Sequence, residues 1–232
     1  MNKESLKQEI ETIQRFLPPH VLLVAAAKTR TATEVKIAIT SGITAIGYNY
    51  VQEAEGMHQA LKEWELQDAS RQVQWHLIGH LQRNKAKKAV DLFDVIETFD
   101  SLRIAEVVNH HCAQIGKIMP VLIEINTGRE SNKTGVPPDE VISLVRQVAQ
   151  FNHIKVQGLM TMGPRFGDPE EARPYFRLAK KLFDQLAAEK VPHVEMKYLS
   201  MGMSNSYKQA IEEGANIVRI GTKLFGARSE NL

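Results

Sequence analysis

The chain has 232 residues, 43% of them hydrophobic and 24% charged, the balance of a folded globular protein rather than a disordered or fibrous one. Its 29 Lys and Arg against 27 Asp and Glu leave a formal charge of +2, too little asymmetry to point to nucleic acid or an anionic membrane surface as a partner. The single cysteine, Cys112, allows no intramolecular disulfide, and Met1-Asn2-Lys3-Glu4 runs into a charged amphipathic segment instead of the apolar core of a signal peptide. A cytoplasmic protein is expected. The longest apolar stretch, Val21 to Ala27, falls far short of the ~20 residues of a membrane span.

In chain order, residues 3–16 read as an extra helix ahead of the first strand. Apolar, β-branched runs then predict strands at Val21–Ala27, Ile43–Gly47, Trp75–Gly79, Asp94–Thr98, Met119–Asn126, Ile154–Met160, Glu195–Ser200 and Asn216–Gly221. Several lack polar alternation, as strands buried on both faces do. Between them lie stretches of helical period, such as Val141, Ile142, Val145, Val148, Ala149 and Phe176, Ala179, Phe183, Ala187. Ser101 and Pro137-Pro138-Asp139 mark helix starts, and Gly116 and Gly214 mark helix ends. Eight strands separated by helices imply parallel pairing with right-handed crossovers, and the arrangement that leaves no sheet edge is a single (β/α)8 barrel of the TIM type, class α/β. An open doubly wound sheet is the alternative. With no linker, repeat or low-complexity segment, residues 1–232 are expected to form one domain.

Barrel active faces are built from the carboxyl ends of the strands. There the sequence places Lys28, Asn49, His80, Gln82, Asn126, Thr161 and Ser200, with Arg219 inside the last strand. Ser200-Met201-Gly202-Met203-Ser204 and Arg219-Ile220-Gly221-Thr222 follow strands seven and eight, where glycine lets backbone N–H groups approach a phosphate. Each is also an acceptable tight turn, and Ser204 could cap the next helix. Lys28 follows seven apolar residues, so its amine would sit at the barrel mouth. Partial desolvation there frees the neutral amine that imine chemistry needs, although on position alone a lysine reaching from a strand end to water is the commoner case. An imine-forming lysine, an anion cradle and an arginine facing one pocket are what pyridoxal 5′-phosphate requires.

Other motifs carry less. His76 and His80 flank a strand, where four residues span ~13 Å, too far for two ligands of one zinc, so no metal site is expected. His110-His111 reads as solvated. The run Arg83-Asn84-Lys85-Ala86-Lys87-Lys88 lacks the interleaved aromatics of a single-strand binder and reads as a solvated helix face. Met160, Met162, Met201 and Met203 read as packing.

Six ordered motifs carry a resemblance that covers almost the whole chain. They are Val21-to-Thr29 with its lysine, Asn49-Tyr50-Val51-Gln52-Glu53, His76-Leu77-Ile78-Gly79-His80-Leu81-Gln82-Arg83-Asn84-Lys85, Gly158-Leu159-Met160-Thr161-Met162, Leu199-Ser200-Met201-Gly202-Met203-Ser204, and Arg219-Ile220-Gly221-Thr222 with Phe225-Gly226. Through them the chain resembles the pyridoxal-phosphate-binding proteins of vitamin B6 homeostasis, whose barrel is similar to the N-terminal domain of alanine racemase. The resemblance implies that Lys28 holds the cofactor as a Schiff base, Asn49 lines the pocket and Arg219 faces the pyridine nitrogen. It further implies that Ser200, Ser204, Gly221 and Thr222 cradle the phosphate. An arginine at the ring nitrogen disfavours its protonation and weakens the ring as an electron sink. Tyr48 departs from the glutamate usual in that family, which bears on the hydrogen bonding around Asn49.

The implied function is a carrier or buffer of pyridoxal phosphate in B6 and amino-acid homeostasis, with no catalytic residue assigned. Its expected partners are the cofactor and pyridoxal-phosphate-dependent apo-enzymes, with no nucleic acid or membrane, and the chain is expected to be a monomer. The alternative is a racemase-like enzyme. That would need two opposed acid/base groups and, in alanine racemase, an additional β-domain for which no residues are expected after Arg219, the chain ending at Leu232. A third reading, a barrel used only as an interaction scaffold, would leave the lysine and the phosphate motifs unexplained.

Overall fold

The computed structural model describes residues 3–163 and 167–227, so Met1, Asn2 and the ends of the expected domain lie outside the described residues. Eight parallel strands close on themselves in sequence order. They are β1 Leu22–Ala26, β2 Ala45–Tyr48, β3 Gln74–Leu77, β4 Val95–Phe99, β5 Met119–Glu124, β6 Ile154–Met160, β7 Val194–Ser200 and β8 Ile217–Ile220. Closure is made where β1 pairs with β8, Leu22 opposite Ile217 through Ala25 opposite Ile220. All eight predicted strands are present, and the open-sheet alternative falls because no edge is left. Boundaries differ by a residue or two: Ile43 is buried but precedes β2, which instead continues to Tyr48.

The helices are α1 Lys3–Phe16, α2 Ala32–Thr40, α3 Val51–Leu66, α4 Ala86–Leu92, α5 Leu102–Ile115, α6 Val141–Val148, α7 Arg173–Glu189, α8 Tyr207–Glu212 and α9 Thr222–Phe225. α1 is the expected extra helix, and it buries Leu6, Ile10 and Ile13, one stripe at helical spacing. Gly116 ends α5 in the left-handed region at φ 66°, a conformation glycine adopts without a Cβ penalty.

One expected helix start holds and two other expected caps turn out differently. Ser101 occupies the N-cap position of α5 without a side-chain bond to it. Pro137-Pro138-Asp139 forms a turn before α6, and Asp139 spends its carboxylate on Arg129 at 2.8 Å. Ser204 does not cap α8, because its hydroxyl accepts from the Lys223 N–H at 3.2 Å.

The strand pleat sorts side chains into two cores. Outward residues such as Leu23, Ala25, Ile46, Leu77, Ile96 and Val218 join the large layer between barrel and helices. Inward residues Val24, Ala45, Ile78, Val95, Leu122, Met160 and Ile217 form a small apolar interior. The same inward face also carries His76, Glu97, Ser200 and Arg219, all buried. The interior thus combines an apolar cluster with a buried hydrogen-bonded group. Among the described residues no helix is long and apolar enough to cross a membrane.

Candidate functional site at the carboxyl ends of the strands

Lys28 sits in the turn after β1, two residues past the inward-facing Ala26, and is half-buried. Its neighbour Thr29 has φ 63°, an uncommon conformation for a β-branched residue, and its N–H donates to the Glu53 carboxylate at the start of α3. Arg30, next along, donates to the Gly226 carbonyl at 2.7 Å and the Phe225 carbonyl at 3.3 Å, and its guanidinium lies 5.4 Å from the Phe225 ring centroid. The turn that carries Lys28 is therefore tied on one side to α3 and on the other to the end of α9. Backbone strain held by such ties is a recurrent mark of functional positions.

Asn49 follows β2 and lines a cleft of about 300 Å³ with Tyr50, Gln52, His80, Gln82 and Lys85. Its backbone is held by Gly79: a Cβ there would lie 2.6 Å from the Asn49 Cα, so only glycine permits this approach. Tyr48 points away from the mouth. It is buried among outward residues, stacked on Trp75 with centroids 5.7 Å apart, and its hydroxyl has no hydrogen-bond partner among the described residues. Burial, with the Glu53 charge adding to it, pushes its phenol well above the ordinary value, so it stays neutral.

The loops after β7 and β8 meet through the Ser204 hydroxyl and the Lys223 N–H. This brings Ser204, Gly221 and Thr222 into one corner. Gly202, at φ 90°, packs so closely on α8 that a Cβ would lie 2.5 Å from the Ala210 Cβ, and one on Gly221 would lie 3.2 Å from the Ala26 carbonyl oxygen. Two hydroxyls and glycine-flanked backbone next to the strand that leads to Lys28 are a donor set suited to a phosphate. α9 has only four residues, so the argument rests on these donors and not on a helix dipole.

Ser200 belongs elsewhere. It is fully buried inside the barrel, donating to the Glu97 Oε2 at 2.6 Å and accepting from the Arg219 Nη1 at 2.5 Å. Arg219 also donates through Nη2 to the Thr161 carbonyl at 2.9 Å, and its Nη1 lies 3.7 Å from the Glu97 carboxylate. Burial draws the guanidinium pKa down, and the charges of Glu97 and Glu124 oppose this. Burial pushes the Glu97 carboxyl up, but bonding and charge from His76, Arg219 and Ser200 outweigh it and hold the group below its usual value.

Of the other histidines, His76 meets Glu97 at 2.6 Å and His80 faces Asp100 at 3.4 Å, so the pair diverges to two carboxylates. Among the described residues no three His, Cys, Asp or Glu side chains are grouped to hold a metal. The basic run lies on a short turn and α4, where Lys88 pairs with Glu55 at 2.7 Å.

Three participants were not singled out in the sequence. Glu97 stands inside the run Val95-Ile96-Glu97-Thr98-Phe99, where an acid amid apolar residues is itself a signal. Glu124 ends β5 facing inward, bonded to Thr134 at 3.0 Å through Oε1, with Oε2 unpartnered among the described residues; burial raises its pKa. Arg30, with a side chain only 7% exposed, ties the lysine turn to α9.

The model of the alanine racemase N-terminal domain matches residues 1–229. The pyridoxal phosphate homeostasis protein of Aquifex aeolicus is 38% identical over 206 residues, covering 89% of this chain and 86% of that protein. The one from Homo sapiens is 34% identical, covering 97% and 83%. The structure of PipY from Synechococcus elongatus with pyridoxal phosphate bound superposes with a TM-score of 0.86 at 30% identity, covering 95% of this chain and all of that one. Alanine racemase of Clostridium difficile, at 14% identity and a TM-score of 0.80 over 58% of its length, shares the fold. The chain belongs to the alanine racemase N-terminal-domain family, among the pyridoxal phosphate homeostasis proteins.

Proposed function

We propose that the protein binds pyridoxal 5′-phosphate at the barrel mouth and acts as a carrier or buffer of the cofactor in vitamin B6 and amino-acid homeostasis. One observation supports this reading: the turn after β1 carries Lys28, the loops after β7 and β8 carry a hydroxyl and glycine corner, and β8, which pairs with β1, carries a buried arginine. The PipY complex at 30% identity supports the choice of ligand. Bound there, the cofactor supplies an aldehyde that condenses with primary amines and a ring that accepts electrons.

Each residue has a role in this reading. Lys28 provides the amine, fixed in place by the Thr29 and Arg30 ties. Asn49, with its backbone set by Gly79, lines the side of the pocket. Ser204, Gly221 and Thr222 take the phosphate. Arg219 faces the ring nitrogen, where a cation disfavours protonation and so restrains carbanion chemistry. Ser200 acts through Arg219, since its hydroxyl is bonded on both sides inside the barrel.

The reading includes a cytoplasmic monomer forming one domain, with apo-enzymes as recipients of the cofactor and no turnover of its own. The loaded protein is mixed with single-enantiomer alanine or serine in deuterated water. Absorption changes without α-deuterium uptake support a carrier. Sustained uptake at ~1 s⁻¹ or faster, lost in Lys28→Ala, would replace this reading with a racemase-like enzyme.

A further inference from the structure

We infer that Glu97 is a positioning residue for Arg219, acting through Ser200 from across the barrel and setting how much positive charge the guanidinium presents to the bound cofactor's ring. This rests on the cofactor site proposed above.

The bonding polarity of the chain follows from its members. A guanidinium only donates, so the Ser200 oxygen must accept from Arg219 Nη1 and its own hydrogen must go to Glu97 Oε2. A carboxylate only accepts, so the His76 nitrogen 2.6 Å from Oε1 must carry its hydrogen. The order His76, Glu97, Ser200, Arg219, Thr161 therefore draws one residue each from β3, β4, β7 and β8 and ends at the carbonyl that follows β6. Every side chain in it from His76 to Arg219 is buried.

Burying an unpaired carboxylate is strongly unfavourable, and removing either partner of a buried pair is costly. Glu97 is thus held by the same partners that it holds. Around Arg219 the charged groups are Glu97 from β4 and Glu124 from β5, with His76 behind Glu97 and His80 and Asp100 beside Glu124. Only Glu97 of these shares a hydrogen-bonded bridge with the guanidinium among the described residues. Two bonds, to Ser200 and to Thr161, fix the guanidinium plane, and the carboxylate offsets its charge.

The test compares wild type with Glu97→Gln, Glu97→Asp and Ser200→Ala, each loaded with pyridoxal phosphate, and follows the cofactor's visible absorption against pH. Glu97→Gln keeps size and removes the charge, leaving Arg219 uncompensated. The midpoint of the absorption change should fall by about one pH unit, the scale expected for one buried charge several ångströms away. Glu97→Asp should move it back toward wild type, which a purely structural loss would not do. In the cofactor-free proteins, nitrogen NMR should show slow rotation and exchange of the Arg219 guanidinium in wild type and their loss in Glu97→Gln and Ser200→Ala.

An unchanged midpoint together with unchanged Arg219 signals in Glu97→Gln would overturn the inference. If that variant does not fold, Ser200→Ala decides it by the same two readouts. A wild type that takes up no cofactor sinks the site reading instead, and the NMR comparison still decides whether Glu97 holds Arg219.

Discussion

Gly79→Ala should damage the site through one atom. The new Cβ would lie 2.6 Å from the Asn49 Cα and 2.9 Å from its carbonyl carbon, where ordinary contact begins at 3.4 Å. The shortfall at Cα is 3.4 less 2.6, or 0.8 Å, and both atoms are backbone, so no side-chain rotation relieves it. The Gly79 carbonyl is itself held by the Thr98 hydroxyl at 2.8 Å, which limits retreat on that side. Overpacking of this kind costs about 1–3 kcal/mol, or a fall of several degrees in Tm for a chain this size. Asn49 must also move outward, so affinity for pyridoxal phosphate should drop. Gly56→Ala is the control, since nothing lies within 4 Å of its Cβ and it sits exposed within α3. That change should stabilise by ~0.5–1 kcal/mol. Urea unfolding and an absorption titration with the cofactor measure both effects. If Gly79→Ala matches wild type in stability and affinity, the close approach does not set Asn49.

Other expectations follow from the same geometry. Ser204→Ala and Gly221→Val should each weaken cofactor retention by about tenfold or more, ~1.4 kcal/mol, measured by equilibrium dialysis, while Lys28→Ala still binds noncovalently. Arg30→Met removes the bonds to Phe225 and Gly226 and should cost ~2–3 kcal/mol in urea unfolding, with a matching loss of cofactor affinity. Because the folded-state pKa of Glu97 is depressed, the unfolded chain binds its proton first on acidification. Its contribution is present above the unfolded value of ~4.3 and is lost as pH falls toward the folded one, so Glu97→Gln should flatten the acid limb of stability against pH. Glu124 has the opposite sign. Its raised folded-state pKa makes it a cost that grows above ~4.3, so Glu124→Gln should be more stable than wild type at pH ~7 and equal to it at pH ~4 by urea unfolding.

The eight strands were legible because each is a short apolar run, and burial on both faces demands that composition. That Lys28, Asn49, Ser204, Gly221 and Thr222 lie past strand ends is legible for a related reason: they follow those runs, and the barrel fixes where strand ends go. Ser200 shows the limit. Being the last residue of β7 marks it as close to the mouth, yet whether it faces loop or interior depends on the pleat and on register with β8, where it pairs with Ile217. Glu97 and Arg219 lie on β4 and β8, which are not neighbours in the sheet, so no local spacing announces their contact. His76 has only His80 near it in sequence as a candidate partner, while its structural partner, Glu97, comes from β4. Tyr48 likewise reads as a change beside Asn49 but turns outward onto Trp75.

The central claim is that Lys28 is the residue that holds the cofactor. The protein is incubated with pyridoxal phosphate, reduced with borohydride, digested and mapped by mass spectrometry. The label should fall on the peptide containing Lys28 and vanish in Lys28→Ala. Label on another lysine, or none after incubation, would contradict the account.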